Sequence, residues 1–263
     1  MIKNCFIAGI FALLHSGITL GQVQNEVAKS LATKDFVAFK QLTDSLSNPQ
    51  ERIKGYWEFL RDLTSEFQEG IFLFQKTVPD RDNPNVSSVF SFKVKIITSN
   101  TRIAFYELSE EKHLKLDGEN HWVTVDDPID RFKDEQLFDS LKNAFKVLFH
   151  ADLNEKDLFS EHFAYGERCG FAGTFPDGRY EVTQFVKSGN KEALVQWLQS
   201  ANTEKQVYAV DGLYQLHAKG VKLTKEELQM IAFVMNKKGS IYACQGCMYG
   251  RDTIKEAVSA FHF

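Results

Sequence analysis

Val89–Thr98 reads VFSFKVKIIT, and its alternation decides the architecture of the first half of the chain. Phe90, Phe92, Val94 and Ile96 fall on one side, with Ser91, Lys93 and Lys95 on the other. That period of two belongs to a strand, and one buried plus one wet face is the mark of an antiparallel sheet. Neighbouring segments join it: Ile71–Val78 (IFLFQKTV) before and Arg102–Leu108 (RIAFYEL) after, both rich in aromatic and β-branched residues. Ser99-Asn100 supplies a tight hairpin turn, and His121–Val125 (HWVTV) reads as a further strand behind the Asp117-Gly118 turn.

Helical spacing flanks this sheet. In Val27–Leu46, Phe36, Phe39 and Leu46 share a face, with a break at Thr33–Asp35. Asn48, Pro49 and Glu51 spell a helix start, and Ile53, Tyr56, Trp57, Leu60, Leu63 and Phe67 then keep helical spacing, so a helix is expected there, ending at Gly70. Another runs from about Lys133 to His150. After a loop holding Cys169, Gly170, Gly173, Pro176 and Gly178, four short helices are expected near Arg179–Lys187, Lys191–Ser200, Thr203–Ala218 and Lys225–Asn236. Gly189-Asn190, Asn202, Gly220 and the capping box Thr224–Glu227 punctuate them. A short apolar segment, Ile241–Ala243, leads into Cys244-Gln245-Gly246-Cys247, and a last helix starts at Thr253. The expected class is α+β: N-terminal helices on an antiparallel sheet over residues 22–155, then an all-α helical-hairpin domain over 156–263. The boundary falls within Ala151–Gly170.

Composition sets the outer limits. The chain has 263 residues, 43% hydrophobic and 13% aromatic, with 31 Lys+Arg against 35 Asp+Glu, a net charge of −4. That excludes disordered, collagen-like and coiled-coil classes, and it argues against a nucleic-acid partner, which needs a basic face. Residues 1–21 read as a secretory signal: Lys3, an apolar run Cys5–Leu14, then Thr19 and Gly21 as small residues before a cut at Gln22. His15 and Ser16 interrupt the run too early for a membrane anchor. The mature protein is expected to be secreted or periplasmic, without a membrane span, and the short signal points to a Gram-negative host.

Three resemblances follow. Two helices followed by a curved sheet, with Asp35-Phe36-Val37-Ala38 opening the second helix, resemble the NTF2-like and cystatin-like cone folds over Val27 to about Val125. Asn202–Leu216 resembles a HEAT-type repeat helix, and Asn190–Asn236 has room for one or two such hairpins, fewer than a free-standing array needs. The second half, with Cys169-Gly170 before the helices and Cys-x-x-Cys after them, resembles uncharacterised secreted bacterial proteins. None of these implies an activity.

Candidate chemistry centres on cysteine. Cys169, Cys244 and Cys247 remain after signal removal, an odd number for an oxidising compartment. A structural disulfide joins either Cys244 to Cys247 or Cys169 to one of that pair; the long-range option closes about 75 residues and contributes about 4 kcal/mol. A redox pair would have Cys244 attack and Cys247 resolve, but Gly250 interrupts the helix such a pair needs. Zinc on the three cysteines would take His162 or His262 as fourth ligand, without zinc-finger spacing. Asp80–Asn85 has the outline of a calcium loop but lacks its Gly and Glu, so it reads as a hairpin loop. His121, Trp122, Asp126, Asp127 and Asp130 form the densest polar cluster, able in principle to act as acid and base and read as a solvated loop. Hydrolase, P-loop, metalloprotease and dinucleotide motifs are absent from the sequence. The expectation is a non-catalytic binding protein of unknown small-molecule or protein partner, without a cofactor. The alternative is a thiol-exchange or metal protein.

Overall fold

The computed structural model describes residues 20–80, 82–83, 85–115, 122–161, 163–170, 172–246 and 248–263. It divides into two compact units: residues 1–58 with 71–134, and residues 59–70 with 135–263. The helix at 135–149, expected with the first domain, thus clusters with the second unit. Residues 1–19 lie outside the described residues, and Leu20 and Gly21 open the first helix.

The first unit holds α1 (Leu20–Ala32), α2 (Phe36–Ser45) and most of a five-stranded meander, the adjoining ends of its first two strands, residues 59–70, counting with the second unit. Its strands are β1 (Ile53–Asp62), β2 (Phe67–Pro79), β3 (Ser87–Ser99), β4 (Arg102–Lys115) and β5 (Trp122–Lys133), in that order across the sheet. The break between the helices sits where it was read, with Asp35 as N-cap accepting from the amides of Val37 and Ala38. An aromatic ladder runs from helix to sheet. Phe39 meets Trp57 and Phe72 edge-on, and Phe74 stacks on Phe92 at 5.0 Å.

β1 overturns the helix expected after Asn48. Asn48 does accept from the amides of Gln50 and Glu51, as a cap would. Its backbone, however, exchanges both hydrogen bonds with Ile53, and Arg52 adopts a left-handed φ of 56°. The chain therefore turns back rather than winding on. Ile53, Gly55, Trp57, Phe59 and Arg61 alternate along the same segment, sharing only Ile53 and Trp57 with the helical stripe, and strand pairing decides between the two periods.

The second unit contains α3 (Glu135–Phe149), α4 (Asp177–Ser188), α5 (Lys191–Leu198), α6 (Thr203–Ala218), α7 (Lys225–Asn236) and α8 (Ile254–Ala257). The four middle helices and the Thr224–Glu227 capping box match their reading. An all-α domain does not. β6 (Tyr165–Cys169), β7 (Ser240–Gly246) and β8 (Met248–Thr253) form a second sheet with β7 central, parallel to β6 and antiparallel to β8. Short strands at this separation carry no local signal, because a parallel pair is made by chain ends far apart in sequence. Helix α6 is the axis of the unit and is buried on nearly every side, polar residues included. No helix among the described residues is long and apolar enough to cross a membrane.

Gly239 precedes β7 at φ 109°, and a Cβ there would lie 2.5 Å from both the Leu60 carbonyl oxygen and the Arg61 Cβ. Gly220 also has a positive φ, 90°, but open space around it. Gly239→Ala should cost about 2 kcal/mol or more in urea unfolding and Gly220→Ala about 1 kcal/mol, the difference being steric contact.

Candidate functional site

The site expected from the cysteines is the β6–β7 pair. Cys169 and Cys244 form a disulfide with Cα atoms 5.7 Å apart, closing 75 residues. Both are buried, 4% and 2% exposed. Gly166 lies against them: a Cβ there would meet the Cys244 carbonyl at 2.5 Å and the two sulfurs at 3.0 and 3.2 Å. Cys247 and His162 lie outside the described residues. His262, the other histidine considered for zinc, lines a different groove, beside α7. Among the described residues no group of three or more His, Cys, Asp or Glu side chains is placed to hold a metal ion.

Polar bonds from α6 and α4 fix β6 under the disulfide. Tyr208 Oη accepts from the Gly166 amide at 2.9 Å and lies 3.1 Å and 3.0 Å from the carbonyls of Ala164 and Gly166. Burial pushes its phenol up to about 12, so it keeps the proton it donates to a carbonyl. Arg179 donates from Nε to Gly166 O and from Nη1 to Asp211 Oδ2, with Glu167 Oε1 2.8 Å from Nη2. Gln215 completes Asp211 with a 2.9 Å hydrogen bond to Oδ1. Beside the disulfide is a cleft of about 370 Å³, with Tyr165, Glu167, Arg168, Gln245 and Asp252 on its walls.

A second cluster escaped sequence reasoning. Arg61 Nε donates to Glu69 Oε1 at 2.8 Å and Nη1 to Glu204 Oε1 at 2.7 Å, and all three side chains are fully buried. The Tyr242 amide donates to Glu204 and the Phe159 amide to Glu69 Oε2. Lys237, also buried, donates from Nζ to Thr203 Oγ1 at 3.0 Å and Gln206 Oε1 at 2.8 Å. Desolvation, then the Arg61 charge, pull its ammonium down to about 7 against the attraction of the carboxylates. These residues come from β1, β2, α6 and the segment after α7, so no local motif announces them. The signal available was periodic: Glu204, Tyr208, Asp211 and Gln215 form a polar stripe on α6 beside the apolar stripe of Val207, Val210, Leu213 and Leu216.

The aspartate cluster is not assembled. Asp126, Asp127 and Asp130 lie inside β5, not in a loop, and point to different partners; His121 is outside the described residues. Asp126 bonds Lys95 at 2.8 Å and Lys93 at 3.1 Å, Asp127 pairs with Lys112, and Asp130 accepts from Tyr106 Oη at 2.8 Å. Burial opposes ionisation of Asp126, yet Lys95 and Lys93 outweigh it and hold the carboxyl below its ordinary range. Lys93 is itself buried, so the face of β3 expected to be wet is closed over by cross-strand ion pairs. A register shift at Leu108/Ser109 leaves Ile129 of β5 unpaired beside Pro128.

Two outcomes are expected. In the unfolded chain Lys237 titrates near 10.5, so between about pH 7 and 10.5 the unfolded state holds a proton that the folded state lacks. Stability should rise across that window and stand lowest below pH 7, and Lys237→Met should remove on the order of a kcal/mol or more of this rise in unfolding measured at pH 6 and pH 9. Replacing Cys169 and Cys244 together by Ser should lower stability by about 2–4 kcal/mol and abolish the cross-link in peptide mapping.

Comparison with protein-family models, with curated proteins and with solved structures returns no match.

Proposed function

We propose that the chain is an exported, non-catalytic binding protein whose second unit is cross-linked for an oxidising compartment. The observation that carries this reading is the burial of the Cys169–Cys244 disulfide beneath Gly166. An exchange centre needs an exposed sulfur that an incoming thiolate can approach in line, whereas Cys169 and Cys244 are almost completely buried. Asp126 and Asp127, singled out in the sequence as acid or base, are likewise held in ion pairs with lysines of the sheet, and Asp130 accepts from Tyr106. Disulfides persist outside the cytosol, which agrees with the signal-like residues 1–21. The helices and meander of the first unit also support the cone-like resemblance.

The test is the intact mass of the exported protein after alkylation without reduction. One adduct, on Cys247, is expected both in native buffer and in denaturant, with a mapped link between Cys169 and Cys244. Three adducts in denaturant would overturn the cross-linked reading. Rapid native exchange of the link with a small dithiol, at rates near those of redox enzymes, would favour the thiol-exchange alternative instead.

A further inference from the structure

Lys93 of β3 ends between two carboxylates. Its Nζ lies 3.0 Å from Glu111 Oε1 of β4, and 3.1 and 3.4 Å from the two carboxylate oxygens of Asp126 on β5. The register explains how one side chain reaches past a strand. Lys93 stands opposite Ser109 and Glu111 opposite Asp126, so all four share one face of the sheet. Ser109 is small and buried, which leaves room for the lysine stem above β4.

Exposed pairs such as Lys40–Asp44 keep water round both charges. This set has little of it: side-chain exposure is 8% for Lys93, 14% for Glu111 and 22% for Asp126. Loss of water narrows the gap between an ion pair and the neutral amine and acid, and an amine held against a carboxyl carbon can condense with it. Burial disfavours the ionised Asp126, but Lys95 and Lys93 outweigh it and keep the carboxylate, so any reaction starts from the ion pair. The two oxygens of Asp126 bracket its Cγ at near-contact distance from Nζ. Rotation about the soft Cβ–Cγ bond turns the face of that carbon to the amine.

We propose that Lys93 and Asp126 condense to an amide, a covalent staple from β3 to β5, with Glu111 as proton carrier and Lys95 as anion holder. Nζ attacks Cγ; the C–N bond forms and the Cγ–Oδ1 bond breaks. Of the three ammonium protons one stays on the amide nitrogen. Glu111 passes the other two in turn to Oδ1, which departs as water. Lys95, 2.8 Å from Oδ2, stays charged and neutralises the anion on that oxygen in the tetrahedral intermediate. The step is redox-neutral and needs no co-reactant. It closes a loop of 33 residues and ties together two strands that are not neighbours in the sheet. The staple lies in the first unit and does not depend on the binding-protein reading.

Intact mass of the purified full chain, reduced and denatured, tests this. It should lie about 18 Da, one water, below the mass its sequence requires, and digestion should yield one branched peptide holding Lys93 and Asp126. Lys93→Arg keeps the charge, Asp126→Ala removes the acceptor, and each should restore the full mass. Glu111→Gln leaves both linking residues in place and should slow the loss of water about a hundredfold, so that full-mass chain accumulates. A wild-type chain at full mass overturns the proposal, and that arm depends on no variant's folding. Loss of water mapped instead to a succinimide, as at Asp117-Gly118, overturns it equally. Linkage undiminished in Glu111→Gln overturns the part assigned to Glu111.

Discussion

Arg61 is the charge around which the second unit is arranged. A guanidinium with no solvent exposure must be matched on the spot, and Glu69 and Glu204 do so at 2.8 and 2.7 Å. Removing one partner from such a set costs about 3–5 kcal/mol, because the remaining charge stays buried and uncompensated. The requirement propagates outward. Glu204 lies in the first turn of α6, the Tyr242 amide places β7 against it, and Gly239 must be glycine to let the chain pass Arg61. Further along α6, Tyr208 and Asp211 repeat the same logic on β6 and α4.

Two devices of different physical character therefore hold β6, β7 and α6 together. The ion set gains its strength from a dry surrounding and acts on the folded state. The disulfide acts chiefly by narrowing the unfolded ensemble, about 4 kcal/mol for a loop of 75 residues. They share no residue, yet both meet on β7, where Tyr242 faces Glu204 and Cys244 faces Cys169. Losses at the two should add, apart from coupling through that one strand.

What was legible in the sequence is what local physics determines. Asp35, Asn190, Asn202 and Thr224 each accept amide hydrogen bonds as N-caps, and the helices start where those residues stand. Strand β3 declared itself by alternation, and β4 by its aromatic and β-branched residues. Illegible were the features made by distance along the chain. Asn48 looked like a cap and is a turn, because pairing with Ile53 outweighs the helical option. Asp126 looked like part of an acidic cluster and is a counter-ion to Lys93 and Lys95, 33 and 31 residues away. The cysteine partners were narrowed to a few options, and the choice of Cys169 with Cys244 depends on β6 lying beside β7. Arg61 gave no sign at all, since its neighbours come from four separate segments.

Strand β5 closes one side of the meander, and its unpaired Ile129 beside Pro128 has a bearing on how the protein behaves in a crowd. An outermost strand of 12 residues offers a row of amides and carbonyls on which another chain can dock. Proline removes one of those donors, the extra residue bends the row out of line, and Asp126, Asp127, Asp130 and Arg131 add charge along it. The strand is thereby a poor template for its own kind. At high concentration this edge is shielded from sheet-to-sheet growth by a kink of a single residue.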